Sequence, residues 1–289
     1  MSAWRLASWV PRSVALRVAV GAAGLYAACV GLTALTYRSF LFPAPKSGLA
    51  PNVSGAELLR SDVAGIPVVA LYAPPRGEQS VVVFFHGNGE ELVDLSYFAV
   101  MLRERGLGLL FVEYPGYGLA AGTPTTEQTI YAAAAQALDD LAARGIDKQR
   151  VTLVGHSLGT GVAAEMAARG YGGRLVLISP FTSIPDMVRR FAPVVSVSWL
   201  VRDRFDTLSK APTLGLPTLV IHGDADNLIP VEMARRVSAA ISGARLEIFE
   251  GGGHNDLFGR DDGRLVRLIA EFSSPFVHSS GGTDRVGAY

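Results

Sequence analysis

Apolar runs of four or five residues, separated by longer segments with helical spacing, recur along most of the chain. Most of these runs are continuously apolar, as expected for strands of a sheet that is buried on both faces. We predict seven strands, at residues 68–72, 81–85, 109–113, 151–154, 175–179, 218–222 and 246–249. Because helical segments alternate with these strands, the pattern predicts an α/β fold with a mostly parallel, doubly wound sheet.

The segments between the predicted strands have the spacing of amphipathic helices. In one of them, the apolar residues that share a helix face are Ile130, Ala134, Ala137, Leu138 and Leu141. Thr125 and Gln128 have the spacing of a capping box at the start of this helix. Two further helices are predicted, from about Glu91 to Arg105 and from Val231 to Ile241.

Residues 181–210 interrupt the alternation and are predicted to form a small helical cap. The interval contains several large apolar side chains between prolines, namely Met187, Phe191, Trp199, Leu200 and Phe205. We expect some of them to cover the core and the others to line an apolar pocket. The polar, Gly- and Ser-containing tail at 273–289 is predicted to be disordered.

The N-terminal region contains a run of twenty uncharged residues, Val18 to Tyr37, between Arg17 and Arg38. About twenty apolar residues span the hydrocarbon core of a bilayer, so we predict a transmembrane anchor at 18–38 after a basic segment at 1–17. A cleaved signal peptide, or a lipoprotein signal at Cys29, is the alternative. The apolar stretch continues to Phe42, which is longer than an ordinary signal core and favours the anchor.

The arginines and lysine that flank the anchor predict its orientation. Arg5, Arg12 and Arg17 precede the helix, and Arg38 and Lys46 follow it. The positive-inside rule then weakly favours a single-pass protein with its catalytic domain on the non-cytoplasmic side. Deleting residues 1–42 is expected to remove no element of the sheet.

Length and composition limit the number of domains and the kinds of partner and cofactor that the chain is expected to have. Residues 39–272 are long enough for one α/β domain with a large core. The chain carries 26 basic and 26 acidic residues, and without a basic stripe we expect no nucleic-acid partner. Cys29 is the single cysteine, so no intrachain disulfide can form. The Cys and His spacing does not predict a metal site, and no cofactor is expected. The sequence leaves the oligomeric state open.

A candidate nucleophile lies in the segment Gly155-His156-Ser157-Leu158-Gly159. A short apolar strand precedes it and an Ala-rich helical segment follows it, which is the strand, turn and helix of a nucleophile elbow. The glycines leave room for a strained turn that exposes the hydroxyl of Ser157.

The elbow requires an acid and then a histidine later in the chain. His254 lies on a glycine-rich loop after the last predicted strand, whereas His222 is expected to support its own loop and His278 lies in the tail. The acid is Asp224 or Asp226, and spacing alone does not separate the two.

Two backbone N–H groups are expected to form an oxyanion hole. One is that of Leu158, which follows the nucleophile, and the other comes from the loop after the second of the predicted strands. In that loop the N–H of Asn88 is the favoured donor, with Gly89 as the alternative, and His86 is expected to support the loop.

Taken in order, six motifs resemble the α/β-hydrolase superfamily, and more narrowly its membrane-anchored, serine-aminopeptidase-like members. They are HGNG at 86–89, EYPGYG at 113–118, GHSLG at 155–159, SPFTS at 179–183, HGDAD at 222–226 and GHNDL at 253–257. The resemblance implies the α/β-hydrolase fold and hydrolysis of an ester, thioester or amide. It also implies that the acid is the last residue of the HGDAD segment, Asp226. Glu113 departs from the aspartate usual in relatives.

These observations predict a membrane-anchored serine hydrolase that acts on a small-molecule or lipid acyl ester or thioester. Ser157 would attack the carbonyl carbon, His254 would transfer the proton and Asp226 would orient His254. A serine aminopeptidase is the alternative enzyme, and a catalytically inactive binding protein is the alternative from another class.

Overall fold

The computed structural model describes residues 12–191, 200–259 and 262–274. Within them the chain forms one eight-stranded sheet. Its strands are β1 (Glu57–Val63), β2 (Ile66–Ala73), β3 (Val81–Phe85), β4 (Gly108–Glu113), β5 (Val151–His156), β6 (Arg174–Ile178), β7 (Thr218–Gly223) and β8 (Arg245–Phe249). The helices are α1 (Arg12–Leu41), α2 (Ser96–Glu104), α3 (Glu127–Ala143), α4 (Leu158–Ala168), α5 (Ile184–Phe191), α6 (Thr207–Lys210), α7 (Val231–Ala240) and α8 (Asp262–Ser273).

The strands lie in the order β1-β2-β4-β3-β5-β6-β7-β8. β2 is antiparallel to both of its neighbours, and every other pair is parallel. The predicted α/β-hydrolase fold with a mostly parallel sheet is therefore confirmed. Because parallel strands end at the same edge, the loops after β3, β5, β7 and β8 converge there.

Two hydrophobic clusters cover the two faces of the sheet. Val81, Val83 and Phe85 of β3 belong to the cluster on the face of α3, α4 and α7. Val82 and Phe84 point to the opposite face, where α2 and α8 pack. All five residues of β3 are buried, which explains why the strand has no polar alternation.

Several local predictions were wrong or incomplete. β1 was not predicted, because this antiparallel edge strand, ELLRSDV, is partly exposed and carries charged side chains. The helix predicted from Glu91 begins only at Ser96, after a 3₁₀ turn at Leu92–Leu95. The capping box of α3 lies one residue later than predicted, where Thr126 and Thr129 exchange side-chain to backbone hydrogen bonds of 2.9 and 3.0 Å. α8 was also not predicted.

The cap predicted at 181–210 contains α5 and α6, and residues 192–199 within it lie outside the described residues. The N-terminal apolar helix is present. Within Leu16–Leu41 its most apolar window of 18 residues has a mean hydropathy of 1.9, and none of that window is buried within the protein. Most of the predicted basic segment 1–17 and nearly all of the predicted tail 273–289 also lie outside the described residues.

α1 leads directly into the core of the domain. Phe42, the residue after the helix, is 6% exposed and packs edge-to-face on Phe205 of the cap, with ring centroids 6.2 Å apart. The end of the apolar helix is therefore fixed against the hydrolase domain.

Candidate active site

Ser157 occupies the turn between β5 and α4 in a backbone conformation that side chains rarely adopt, with φ 49° and ψ −114°. The turn is tight enough that a Cβ on Gly155 would collide with the backbone of Gly159, and one on Gly159 with the carbonyl oxygen of Phe85. Both glycines are thus required by close packing, and the strained serine lies where a nucleophile elbow places it.

His254 joins Ser157 to Asp226. Its Nε2 lies 3.0 Å from Ser157 Oγ, and its Nδ1 lies 2.7 Å from Asp226 Oδ2. Asp226 Oδ1 accepts the backbone N–H groups of Leu228 and Ile229 at 2.9 and 2.8 Å. Burial disfavours the charged carboxylate, but the hydrogen bonds from His254 and Ile229 outweigh it and hold the pKa of Asp226 below its usual value. This chain of groups can accept a proton from the serine hydroxyl and stabilise the resulting imidazolium.

The other aspartate and histidines considered for the catalytic roles make different contacts or lie elsewhere. Asp224 Oδ1 accepts the backbone N–H of Gly251 at 2.6 Å, so this aspartate bridges two loops. His222 is fully buried, and burial lowers its pKa, so the neutral ring donates from Nε2 to the carbonyl oxygen of Ile229 at 2.9 Å. His278 lies outside the described residues.

The backbone N–H groups of Asn88 and Leu158 have no hydrogen-bond partner among the described residues. Both residues line the same cavity as Ser157. The side chain of Asn88 is fixed at both ends, because its Nδ2 donates to the carbonyl oxygen of Leu41 at 2.6 Å and its Oδ1 accepts from Tyr117 at 2.7 Å. The arrangement leaves both N–H groups free to bind an oxyanion.

A contact between a buried histidine and a partly buried glutamate, which the sequence analysis missed, connects the elbow to this loop. His156 Nδ1 lies 3.0 Å from Glu90 Oε1, and the ring of His156 lies 5.4 Å from that of His254. Glu90 Oε2 accepts the N–H of Gly87 at 2.7 Å. Burial opposes ionisation of Glu90, but the charge and hydrogen bond of His156 lower its pKa to about 2. His86 is buried on the same loop, with Nδ1 2.8 Å from the carbonyl oxygen of Gly87, as its predicted supporting role requires.

A cavity of about 570 Å³ opens beside Ser157. This volume lies within the roughly 300–1,000 Å³ of typical small-molecule pockets. Most of the described residues that line it are apolar, and none is Asp or Glu; from the cap and the loop after β7 they are Phe181, Ile184, Met187, Val188, Phe191, Leu200, Val201, Leu228 and Ile229. In the part of the chain that the structure describes, no group of three or more His, Cys, Asp or Glu side chains could hold a metal ion.

Asp203 attaches α1 to the cap and was not identified from the sequence. Its carboxylate is fully buried and accepts hydrogen bonds from Tyr37 Oη at 2.6 Å, Arg38 Nε at 2.7 Å and the backbone N–H of Glu127 at 2.8 Å. The sequence did not indicate this role, because an aspartate between two arginines is typical of an exposed segment. Neither its burial nor its distant partners can be predicted from the neighbouring residues.

Comparisons with known proteins agree with this architecture. A family profile described as "Alpha/beta hydrolase family" matches residues 82–213. The chain is 30% identical over 201 residues to a putative alpha/beta hydrolase of Acanthamoeba polyphaga mimivirus, a match that covers 67% of this chain and 74% of that protein. It is 30% identical over 203 residues to alpha/beta hydrolase domain-containing protein 17B of Homo sapiens, covering 66% of each.

Among solved structures, an esterase from Exiguobacterium antarcticum superposes with a TM-score of 0.60 at 20% identity, covering 75% of this chain and 98% of that one. A Pyrococcus furiosus esterase superposes with a TM-score of 0.62 at 16% identity, covering 79% and 96%. At these identities the structural matches establish the fold alone, and the sequence matches establish the family. The chain belongs to the α/β-hydrolase family.

Proposed function

We propose that this protein is a membrane-anchored serine hydrolase that cleaves an acyl ester or thioester through an acyl-enzyme intermediate. The observation that carries the proposal is the 3.0 Å distance from His254 Nε2 to Ser157 Oγ, together with the hydrogen bond from His254 to Asp226. A serine hydroxyl is a weak nucleophile unless a base within hydrogen-bond reach removes its proton.

In the acylation step, Ser157 Oγ attacks the carbonyl carbon while His254 Nε2 takes the hydroxyl proton. Asp226 stabilises the imidazolium, and the N–H groups of Asn88 and Leu158 bind the oxyanion of the tetrahedral intermediate. The carbonyl re-forms, the bond to the leaving group breaks, and His254 protonates the departing oxygen or sulfur. A water molecule deprotonated by His254 then attacks the acyl-enzyme and releases the acid and the free serine.

The cavity lining favours an acyl substrate over the aminopeptidase alternative. An aminopeptidase needs a carboxylate near the reacting carbonyl to bind the free amine of its substrate. Among the described residues that line the cavity, none is Asp or Glu. A long apolar wall suits an acyl chain, because each buried methylene contributes about 0.8 kcal/mol.

Labelling with a fluorophosphonate tests the nucleophile. Ser157→Ala is expected to abolish labelling and to lower kcat by at least about 10³-fold, because members of a triad act as a unit. Ser209→Ala, an exposed serine on α6, is the matched control and should label like the wild type. A panel of ester, thioester and aminoacyl substrates then identifies the bond that is cleaved. Labelling that survives in Ser157→Ala would refute the proposal.

The anchor and its orientation are tested separately. Full-length protein should remain in the membrane pellet after high salt and alkaline carbonate, because apolar burial holds it there. Protease protection should place the catalytic domain on the non-cytoplasmic side. A soluble protein with a new N-terminus at residues 28–36 would instead indicate a cleaved signal.

A further inference from the structure

One wall of the active-site cavity is made by the apolar N-terminal helix itself. Thr33, Thr36, Tyr37, Phe40 and Leu41 of α1 all line it, together with Ser157. Their spacing of three and four residues puts them on a single face of the helix. Four residues of α5, namely Ile184, Met187, Val188 and Phe191, also line it, so the cap and a helix of membrane-spanning length both contribute walls to the cavity.

The polar side chains on the α1 wall are occupied by other groups. Thr33 Oγ1 donates to the carbonyl oxygen of Cys29 at 2.9 Å, and Thr36 Oγ1 to that of Leu32 at 2.8 Å. The hydroxyl of Tyr37 donates to Asp203 at 2.6 Å. These hydroxyl groups are therefore already hydrogen-bonded, and the wall selects against a polar ligand.

The cavity is bordered by apolar side chains that remain exposed. Phe40 of α1 is 82% exposed, Phe191 at the end of α5 is 61% exposed, and Leu228 is 45% exposed. All three line the cavity. Large apolar side chains grouped around an opening mark a surface that contacts something other than water.

The length of α1 places this opening near the edge of a bilayer. The uncharged run of α1, Val18 to Tyr37, has twenty residues, so at ~1.5 Å per residue it extends about 30 Å, which is about the thickness of the hydrocarbon core. With this run across the core, its last residue, Tyr37, stands at the edge of the core and the last turn of α1 lies in the interfacial layer. Phe40 and Leu41, which line the cavity, belong to that turn.

We infer that the substrate is a long-chain acyl lipid resident in the bilayer, and that its acyl chain passes between α1 and α5 into the cavity without crossing the aqueous phase. This inference rests on the proposed function, because the bond that reaches Ser157 is the acyl ester or thioester of that lipid. α1 is then both anchor and acyl-binding wall, and the leaving group remains at the interface.

A bifunctional probe tests the path directly on the full-length protein in phosphatidylcholine vesicles. The probe is a fluorophosphonate with a long alkyl chain that carries a diazirine near its far end. It should first label Ser157 and, after irradiation, crosslink to the peptide that contains residues 33–41, as mapped by mass spectrometry. Labelling of Ser157 with crosslinks confined to other peptides would overturn the inference and leave the proposed function standing. Absence of labelling would refute the proposed function itself.

A variant pair provides a second test that does not depend on crosslinking. Thr36→Trp fills the wall of the cavity, and Leu32→Trp places the same side chain one turn earlier on α1, at a position that is 63% exposed and does not line the cavity. The readout is the ratio of kcat/KM for 4-nitrophenyl palmitate in vesicles to kcat/KM for 4-nitrophenyl acetate in water.

Thr36→Trp should lower this ratio by about tenfold or more, because added volume in a packed wall excludes the chain. Leu32→Trp should leave it at the wild-type value. Equal ratios for both variants and the wild type would contradict the inference. Fluorophosphonate labelling of each variant reports whether its active site has folded.

Discussion

The backbone carbonyl oxygen of Leu41 accepts a hydrogen bond of 2.6 Å from Asn88 Nδ2. The last turn of α1 is thus bonded to the loop that carries one of the two proposed oxyanion donors. Deleting residues 1–42 removes no strand, as expected from the sequence. It does remove this hydrogen bond, the core residue Phe42, and the Tyr37 and Arg38 partners of Asp203. Removing the helix is therefore expected to lower the stability of the domain.

Two truncations should therefore differ in stability. Deleting residues 1–42 should lower the free energy of unfolding by about 3 kcal/mol or more, because a buried carboxylate loses its cation and a buried aromatic is lost. Deleting residues 1–29 keeps both and should change it by less than about 1 kcal/mol. Urea denaturation of both proteins in the same detergent measures the difference. Coincident denaturation curves would show that the end of α1 contributes nothing to the fold.

The two aspartates of the loop after β7 should have very different effects on turnover. Asp226→Asn should lower kcat by about 10³–10⁴-fold, because the amide holds His254 in the wrong tautomer. Asp224→Asn should retain most of the activity, since its carboxylate contacts the backbone of Gly251 and not His254. Steady-state kinetics on a soluble ester compares them, and a larger loss in Asp224→Asn would assign the acid to the other residue.

The features predicted correctly are those with a local signal. Each of the seven predicted strands is a short apolar run, and Gly155 and Gly159 indicate the tight turn around Ser157 without knowledge of the rest of the chain. Asp226 could be preferred over Asp224 only through the resemblance to a family, because two aspartates one residue apart give no spacing signal.

The features that were missed depend on distant contacts. β1 is a partly exposed edge strand, and its charged residues interrupt the apolar pattern by which the other strands are recognised. The pairing of Glu90 with His156 joins residues 66 positions apart, and Asp203 meets Arg38 across 165 positions. Such pairs form only when the sheet brings their loops together, so no local pattern predicts them.

Glu90 should position the loop that carries Asn88, one of the two proposed oxyanion donors. Glu90→Gln removes the charge that binds His156 and weakens the bond to Gly87, so kcat should fall by up to about 10²-fold, the cost of misplacing a catalytic group by about 1 Å. Exposed Glu104, on α2, provides the control Glu104→Gln, which should behave as the wild type. Unchanged turnover in Glu90→Gln would show that the pair does not position the loop.

The same residue predicts a pH dependence of stability. Its pKa is about 2 in the folded protein, below the value of about 4.3 for an unperturbed glutamate. The ionised carboxylate of Glu90 therefore makes its full contribution to the free energy of unfolding above about pH 4.3. This contribution is lost as the pH falls toward about 2. Urea denaturation at pH 7 and pH 3 should show a larger acid loss for the wild type than for Glu90→Gln. Equal losses would mean that Glu90 is not held ionised.

The elbow glycine that faces β3 should be intolerant of any side chain. Gly159→Ala places a Cβ against the carbonyl oxygen of Phe85, so we expect a loss of about 3 kcal/mol or failure to fold. Gly215→Ala, where a Cβ would meet no atom within 4 Å, is the control and should stay within about 1 kcal/mol of the wild type. Thermal unfolding measures both, and similar melting temperatures would contradict the packing argument.

Asp203 has a consequence for how the cap can move. Its carboxylate is held by α1 through Arg38 and by the first turn of α3 through the N–H of Glu127, and it has no exposure to water. Separating this part of the cap from α1 and α3 would break the hydrogen bonds that this carboxylate accepts from Tyr37, Arg38 and Glu127. The segment of the cap around Asp203 is therefore fixed to α1 and to the start of α3 at once, so the position of the apolar helix and the position of this part of the cap depend on each other.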